Sequence, residues 1–164
     1  MSQETINLTN ALKGDSKVQG NWGEVILERI LEKSGLEKGR EYETQQSVTI
    51  DGKRLQPDVV IHLPNEKKMV IDSKVSLTAY ERFCNSNDEN EKQNYLKQHI
   101  FSISNHIKQL SEKNYHDLFQ IQSPDFILMF IPIETAFALA INQEHNLYNQ
   151  AFDKNIVIVT TSTL

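Results

Sequence analysis

Two apolar runs joined by a short polar connection constrain this chain more than any other stretch. They are Val59-Val60-Ile61-His62-Leu63 and Met69-Val70-Ile71, separated by Pro64 to Lys68. Runs rich in Val, Ile and Met on either side of a Pro/Asn/Glu/Lys connection read as a β-hairpin, and their apolar character suits strands buried on both faces. Charge gathers at one end. Asp58 precedes the first run, and Asp72-Ser73-Lys74 closes the second. A turn centred on Asn65 puts Asp58 and Asp72 equally far from it, hence opposite one another across the ladder. Side chains alternate along a strand, so Asp72 and Lys74 share a face while Ser73 points the other way.

Carboxylates facing each other repel, and burial raises the cost. A divalent cation between them would remove both penalties. Mg²⁺ prefers oxygen ligands and is commonly held by one or two carboxylates plus waters and substrate phosphate. A lysine two residues on would stabilise phosphate charge or orient an attacking water. The plainer alternative is that Asp58 caps its strand while Asp72 and Lys74 form a solvated ion pair.

Pro57-Asp58 followed by Asp72-Ser73-Lys74 resembles the PD-(D/E)xK signature of restriction-endonuclease-like nucleases. Four blocks in order resemble the RmuC family of bacterial DNA recombination proteins more narrowly, from about Gly20 to the C-terminus. They are Gly20-Asn21-Trp22-Gly23-Glu24, Gln56-Pro57-Asp58, Asp72-Ser73-Lys74-Val75 and Phe130-Ile131-Pro132-Ile133-Glu134. The resemblance implies a role in DNA recombination or repair, limiting rearrangements at inverted repeats, with DNA as partner. It implies that Glu24, on the first helix, joins Asp58 and Asp72 around one or two Mg²⁺ or Mn²⁺, with Lys74 beside them. His106, Lys113 and Tyr115 fall where such sequences carry His, Lys and Tyr, which makes them second-tier candidates for phosphate contact. Relatives carry a membrane anchor and a long coiled coil ahead of this region, which implies the cytoplasmic side of the inner membrane and oligomerisation through that coil. Residues 1–19 are then a lead-in at the end of the coil and residues 20–164 the nuclease-like domain. Relatives continue past Leu164, so part of the domain is expected beyond it.

A chain of 164 residues suffices for one domain with a core. No apolar run approaches the length that spans a bilayer, and no signal-peptide pattern is present. The lone Cys84 excludes an internal disulfide and suits a reducing compartment. A net charge of −5 argues against a broadly basic nucleic-acid surface. It leaves room for a local groove dependent on metal and a few lysines. Neither nucleotide-binding glycine loops nor Cys/His zinc spacings occur.

Along the chain, Asn21 is the expected N-cap of a first helix, with Glu24 three residues on as in a capping box. This is compatible with a metal role for Glu24. Trp22, Val25, Ile26, Ile30 and Leu31 recur at helical spacing, and Ser34-Gly35 ends the helix. Glu41 to Ile50 is expected as one strand, turning at Asp51-Gly52 into the strand that contains Asp58. The first three strands thus form an antiparallel meander, and Gln45 or Gln46 could face the site or solvent. Ser76 is the expected cap of a short helix through Phe83, and residues 85–90 a polar loop. Leu96, Ile100, Ile103, Ile107 and Leu110 define a long amphipathic helix over the sheet, with His99 and His106 along it. Phe126 to Ile131 reads as a central buried strand. Glu134 opens a helix running through Leu147, where it interacts favourably with the dipole or joins the site. Ile156 to Val159 is a final strand.

These expectations assemble into an α/β domain of the restriction-endonuclease-like type. Its mixed sheet has an antiparallel meander followed by helix-linked strands, flanked by helices. The expected chemistry is Mg²⁺- or Mn²⁺-dependent hydrolysis of DNA phosphodiesters. The alternatives are a DNA-structure-binding module with little or no turnover, and a purely structural scaffold in an envelope-associated complex.

Overall fold

A computed structural model of the chain describes residues 16–44, 48–50, 53–55, 58–64, 67–73, 76–112 and 127–164. Helix α1 (Ser16–Lys33) leads into β1 (Tyr42–Thr44), a small hairpin of β2 (Val48–Ile50) and β3 (Lys53–Leu55), and the long pair β4 (Val59–Leu63) and β5 (Lys67–Asp72). Then come α2 (Thr78–Asn85), α3 (Glu89–Glu112), β6 (Ile127–Ile131), α4 (Glu134–Gln143), α5 (Leu147–Asp153) and β7 (Ile156–Thr160). Five strands form one mixed sheet in the order β1-β4-β5-β6-β7, while β2 and β3 pair apart from it. β1, β4 and β5 are antiparallel neighbours; β6 and β7 join in parallel. This is a mixed α/β architecture with helices on both faces.

The alternation of side chains divides the core in two. Val70, Met129 and Ile158 pack with Ile103, Ile107 and Leu110 of α3 and with Ala136, Ala140, Leu147 and Ala151 of α4 and α5. Their neighbours Ile71, Phe130 and Val159 face the other way, onto Leu27 and Leu31 of α1 and onto Tyr42. Each fully buried aliphatic or aromatic side chain contributes roughly 1.5–3 kcal/mol of transfer free energy, so both layers are needed to hold the sheet. Asp72 follows the phase of Val70 and therefore looks toward α3.

The pairing of β4 with β5 matches Val59 to Ile71 and Leu63 to Lys67, which centres the turn on position 65 as expected. Four local expectations fail, each where a distant contact outweighs a local signal. Asn21 is not the N-cap. The helix is already formed at Ser16, and Asn21 is exposed within it, so Glu24 is not a capping-box residue. Gln19, before Asn21, is buried; its Oε1 accepts the Leu77 N–H at 3.0 Å and its Nε2 donates to Thr78 Oγ1 at 3.1 Å. That contact draws the helix past its local cap signal. It also replaces Ser76 as the cap of α2, since no local side chain bonds that helix start.

Residues 41–50 do not make one strand. β1 pairs with β4, whereas β2 pairs with β3 around the expected turn, with Ile50 opposite Lys53. β3 ends at Leu55, and Asp58 stands at the head of a separate strand. Gln45 and Gln46 lie outside the described residues. The expected polar loop shortens because Asp88 caps α3, its Oδ1 accepting the Asn90 N–H at 2.9 Å. The helix from Glu134 breaks after Gln143, and Leu147 begins a second helix that buries its own Leu147 and Ala151.

Candidate active site

Asp58 and Asp72 flank the register of β4 and β5, one residue beyond the Val59–Ile71 pair on each strand. Both are buried, at 2% and 1% exposure. Water contributes little to their solvation, so the protein must supply donors. Asp58 Oδ2 accepts the backbone N–H of Ser73 at 2.8 Å and the Ser73 hydroxyl at 3.3 Å. Asp72 Oδ1 lies 3.0 Å from Nε2 of His106. A carboxylate accepts, so the imidazole donates from Nε2. Asp58 is thus bonded to the residue that directly follows Asp72.

Helix α1 closes the same corner. A Cβ placed on Gly23 would lie 3.5 Å from the Ser73 carbonyl oxygen and 3.7 Å from Cγ of Pro132, so the helix backbone rests against the strand exit. Glu24 is the next residue and is half-buried. Gln19, one turn earlier, holds the start of α2 through Leu77 and Thr78. Gly23, Asp58, Asp72-Ser73 and Pro132, one from each of the four sequence blocks, therefore converge around Ser73.

The remaining candidates distribute differently. Lys74, Lys113 and Tyr115 lie outside the described residues. His106 points inward onto Asp72, and its ring is nearly buried. Glu134 is exposed at the start of α4, where its Oε1 accepts the Ser162 N–H at 2.7 Å and ties the C-terminal turn to that helix. His99, two turns before His106, is fully buried; its Nε2 donates to the Ala136 carbonyl at 2.8 Å. Burial holds the His99 imidazole below its ordinary pKa, opposed by the Ala136 hydrogen bond.

Sequence reasoning missed Gln19, Ser73 as the donor to Asp58, and the inward aim of His106. The last was readable. Leu96, His99, Ile103, His106 and Leu110 follow one another at helical spacing, so both histidines share the apolar stripe. Gln19 offered no comparable signal, because its partners are 58 and 59 residues away.

The donor set suits a hard divalent cation: two buried carboxylates, each with one oxygen anchored by hydrogen bonds and with oxygen chemistry throughout. Among the described residues no group of three or more His, Cys, Asp or Glu side chains gathers in metal-binding geometry. Any ion there would depend on Asp58 and Asp72 together with water or phosphate oxygens, which is a coordination Mg²⁺ accepts and structural Zn²⁺ does not. Among the same residues no helix is long and apolar enough to cross a membrane.

Comparison with known proteins agrees with the convergence of the four blocks. The family profile described as "RmuC family" matches residues 1–164. The chain is 54% identical over 165 residues to the DNA recombination protein RmuC homolog of Pseudomonas aeruginosa, covering 100% of this chain and 36% of that protein. It is 51% identical to the homolog of Vibrio cholerae, covering 100% of this chain and 32% of the other. It is 50% identical to DNA recombination protein RmuC of Escherichia coli strain K12, covering 100% and 35%. The chain spans about a third of the length of these curated relatives. With a family profile matched from end to end, the chain belongs to the RmuC family.

Proposed function

We propose that this chain carries a metal-dependent DNA phosphodiester hydrolase centre of the PD-(D/E)xK type, serving DNA recombination or repair. The observation that carries the proposal is the bond from Ser73 N–H to Asp58, which sets one buried carboxylate beside the other at the end of two paired strands. The mixed sheet, with an antiparallel β1-β4-β5 portion and parallel β6, supports the restriction-endonuclease-like reading. The names of the relatives support DNA as the partner, with branched or inverted-repeat structures as the first substrates to try.

Asp58 and Asp72 would hold Mg²⁺ or Mn²⁺, with Glu24 approaching from α1. Bound there, the ion would supply an acidified water and neutralise charge on the phosphate. The chain's own contribution is positioning. Ser73 fixes Asp58, His106 fixes Asp72, and the Gly23 and Gln19 contacts keep α1 against the strand exit. Lys74, two residues past Asp72, would stabilise charge on the phosphate or orient the water. His106, Lys113 and Tyr115 remain candidates for phosphate contact. In the longer relatives, oligomerisation through a coiled coil and anchoring on the cytoplasmic side of the inner membrane complete the proposal.

A second reading is favoured by a specific observation. Ser73 and His106 already satisfy part of each carboxylate, and no third ligand gathers among the described residues. Such a site suits a DNA-structure-binding module with weak or no turnover. Incubation of branched and linear DNA with Mg²⁺, Mn²⁺ or EDTA, comparing the wild type with Asp72→Ala, separates the two. Metal-dependent cleavage lost in the variant supports the enzyme. Binding that survives EDTA, without cleavage by either protein, establishes the module instead.

A further inference from the structure

The two carboxylates are not held alike, but they are held to the same effect. Asp58 has one oxygen committed to Ser73 through two donors, and Asp72 has one oxygen committed to His106. An ion that used both oxygens of either carboxylate would have to displace one of these donors inside a buried corner, where an unsatisfied donor is costly. Ca²⁺ readily takes carboxylates in two-oxygen fashion and fills six to eight positions, whereas Mg²⁺ and Mn²⁺ suit single-oxygen contacts in an octahedral shell.

We propose that His106 is a positioning residue: by donating to Asp72 Oδ1 it restricts Asp72 to one-oxygen coordination and so makes the carboxylate pair selective for small octahedral ions over Ca²⁺. The inference rests on the metal site proposed above and adds its ion preference and the residue that sets it. Three observations carry it. His106 Nε2 is 3.0 Å from Asp72 Oδ1, within charge-assisted hydrogen-bonding distance. Both side chains are buried, at 11% and 1% exposure, so bulk water does not readily substitute for either partner. His106 is also fixed by its place on α3, between Ile103 and Leu110 of the core stripe, which leaves the ring little freedom to move aside.

Calorimetric titration of Mn²⁺ and of Ca²⁺ into the full chain tests this, using the wild type, His106→Gln and His106→Leu, with circular dichroism to check folding. Gln can place an amide donor near the Nε2 position; Leu fills the space with no donor. The wild type is expected to bind Mn²⁺ more tightly than Ca²⁺. His106→Leu should reduce the Mn²⁺-over-Ca²⁺ preference by about tenfold or more, in the range that loss of an outer-shell partner produces. His106→Gln should restore most of it. A purely structural role would change folding or weaken both ions alike, without moving their ratio. An unchanged ratio in a folded His106→Leu protein, or a Gln variant that behaves as Leu does, overturns the inference while leaving the metal site standing. Equal wild-type affinity for the two ions overturns it as well. A wild type that binds neither ion overturns the metal site itself, and the positioning role falls with it.

Discussion

Helix α3 lays two histidines on the same buried stripe, seven positions apart, and the protein uses them differently. His99 lies over the start of α4, its Nε2 donating to the Ala136 carbonyl and its ring 5.5 Å from that of Tyr80. Its Nδ1 has no hydrogen-bond partner among the described residues. His106 lies over the end of β5 and meets the carboxylate of Asp72. One histidine closes a gap between helices by satisfying an uncharged backbone acceptor; the other orients an anion that the proposed chemistry needs. Residue type and helix face are shared. What separates structural from functional use is the partner across the interface, and the partner is decided by which strand or helix ends beneath that turn.

The largest expected effect breaks the pair at its functional member. Asp72→Ala should lower metal-dependent DNA cleavage by more than the roughly 100-fold that loss of an outer-shell group costs, while far-ultraviolet circular dichroism stays native. Retained cleavage would remove the distinction between the two ends of α3.

Next comes the structural member. His99→Leu leaves the Ala136 carbonyl without its donor, so it should cost about 1–3 kcal/mol in urea unfolding. Its Mn²⁺ affinity should match the wild type. If that affinity falls with the stability, the two halves of the helix act as one unit and the comparison fails.

The same histidine predicts a pH dependence. Burial lowers the folded-state pKa of His99 below the ordinary 6.5, so the unfolded chain binds the proton more readily. The stabilisation is fully present above the unfolded value and is lost as pH falls through it toward the folded one. Urea midpoints should therefore drop between about pH 7.5 and about pH 5.5, and drop less in His99→Leu, which removes the titrating ring.

The smallest effect probes what braces the functional end. Gln19→Ala removes the distant cap on α2 and should cost about 1 kcal/mol, as losing a side-chain cap does. A change near zero would mean that the hydrogen bonds to Leu77 and Thr78 only accompany packing already secured by α1.

Much of this was legible from local patterns. The hairpin centred on position 65 follows from two apolar runs of similar length around a polar turn, and that symmetry alone puts Asp58 and Asp72 opposite each other. The long amphipathic helix declares itself because 3.6-residue periodicity is repeated over many turns, and it spans 24 residues as α3. What failed was local reasoning applied to places with distant partners. Asn21 carries a good cap signal, but the helix runs past it because Gln19 finds buried partners in the segment after β5. Residues 41–50 look like one strand, but their two halves pair with different strands.

The sequence by itself determined the alternation that buries β4 and β5, the position of the turn between them and the acidic residues at their ends, because each depends on neighbours a few positions away along the chain. Only the tertiary structure decided that Ser73 would serve Asp58, that His106 rather than solvent would meet Asp72, and that Gly23 of α1 would rest on the Ser73 carbonyl. Those contacts join residues 15 to 50 positions apart, fixed by how the helices settle on the sheet. A hydrogen bond stabilises a fold only once both groups have been brought together and stripped of water, and no local pattern encodes that meeting.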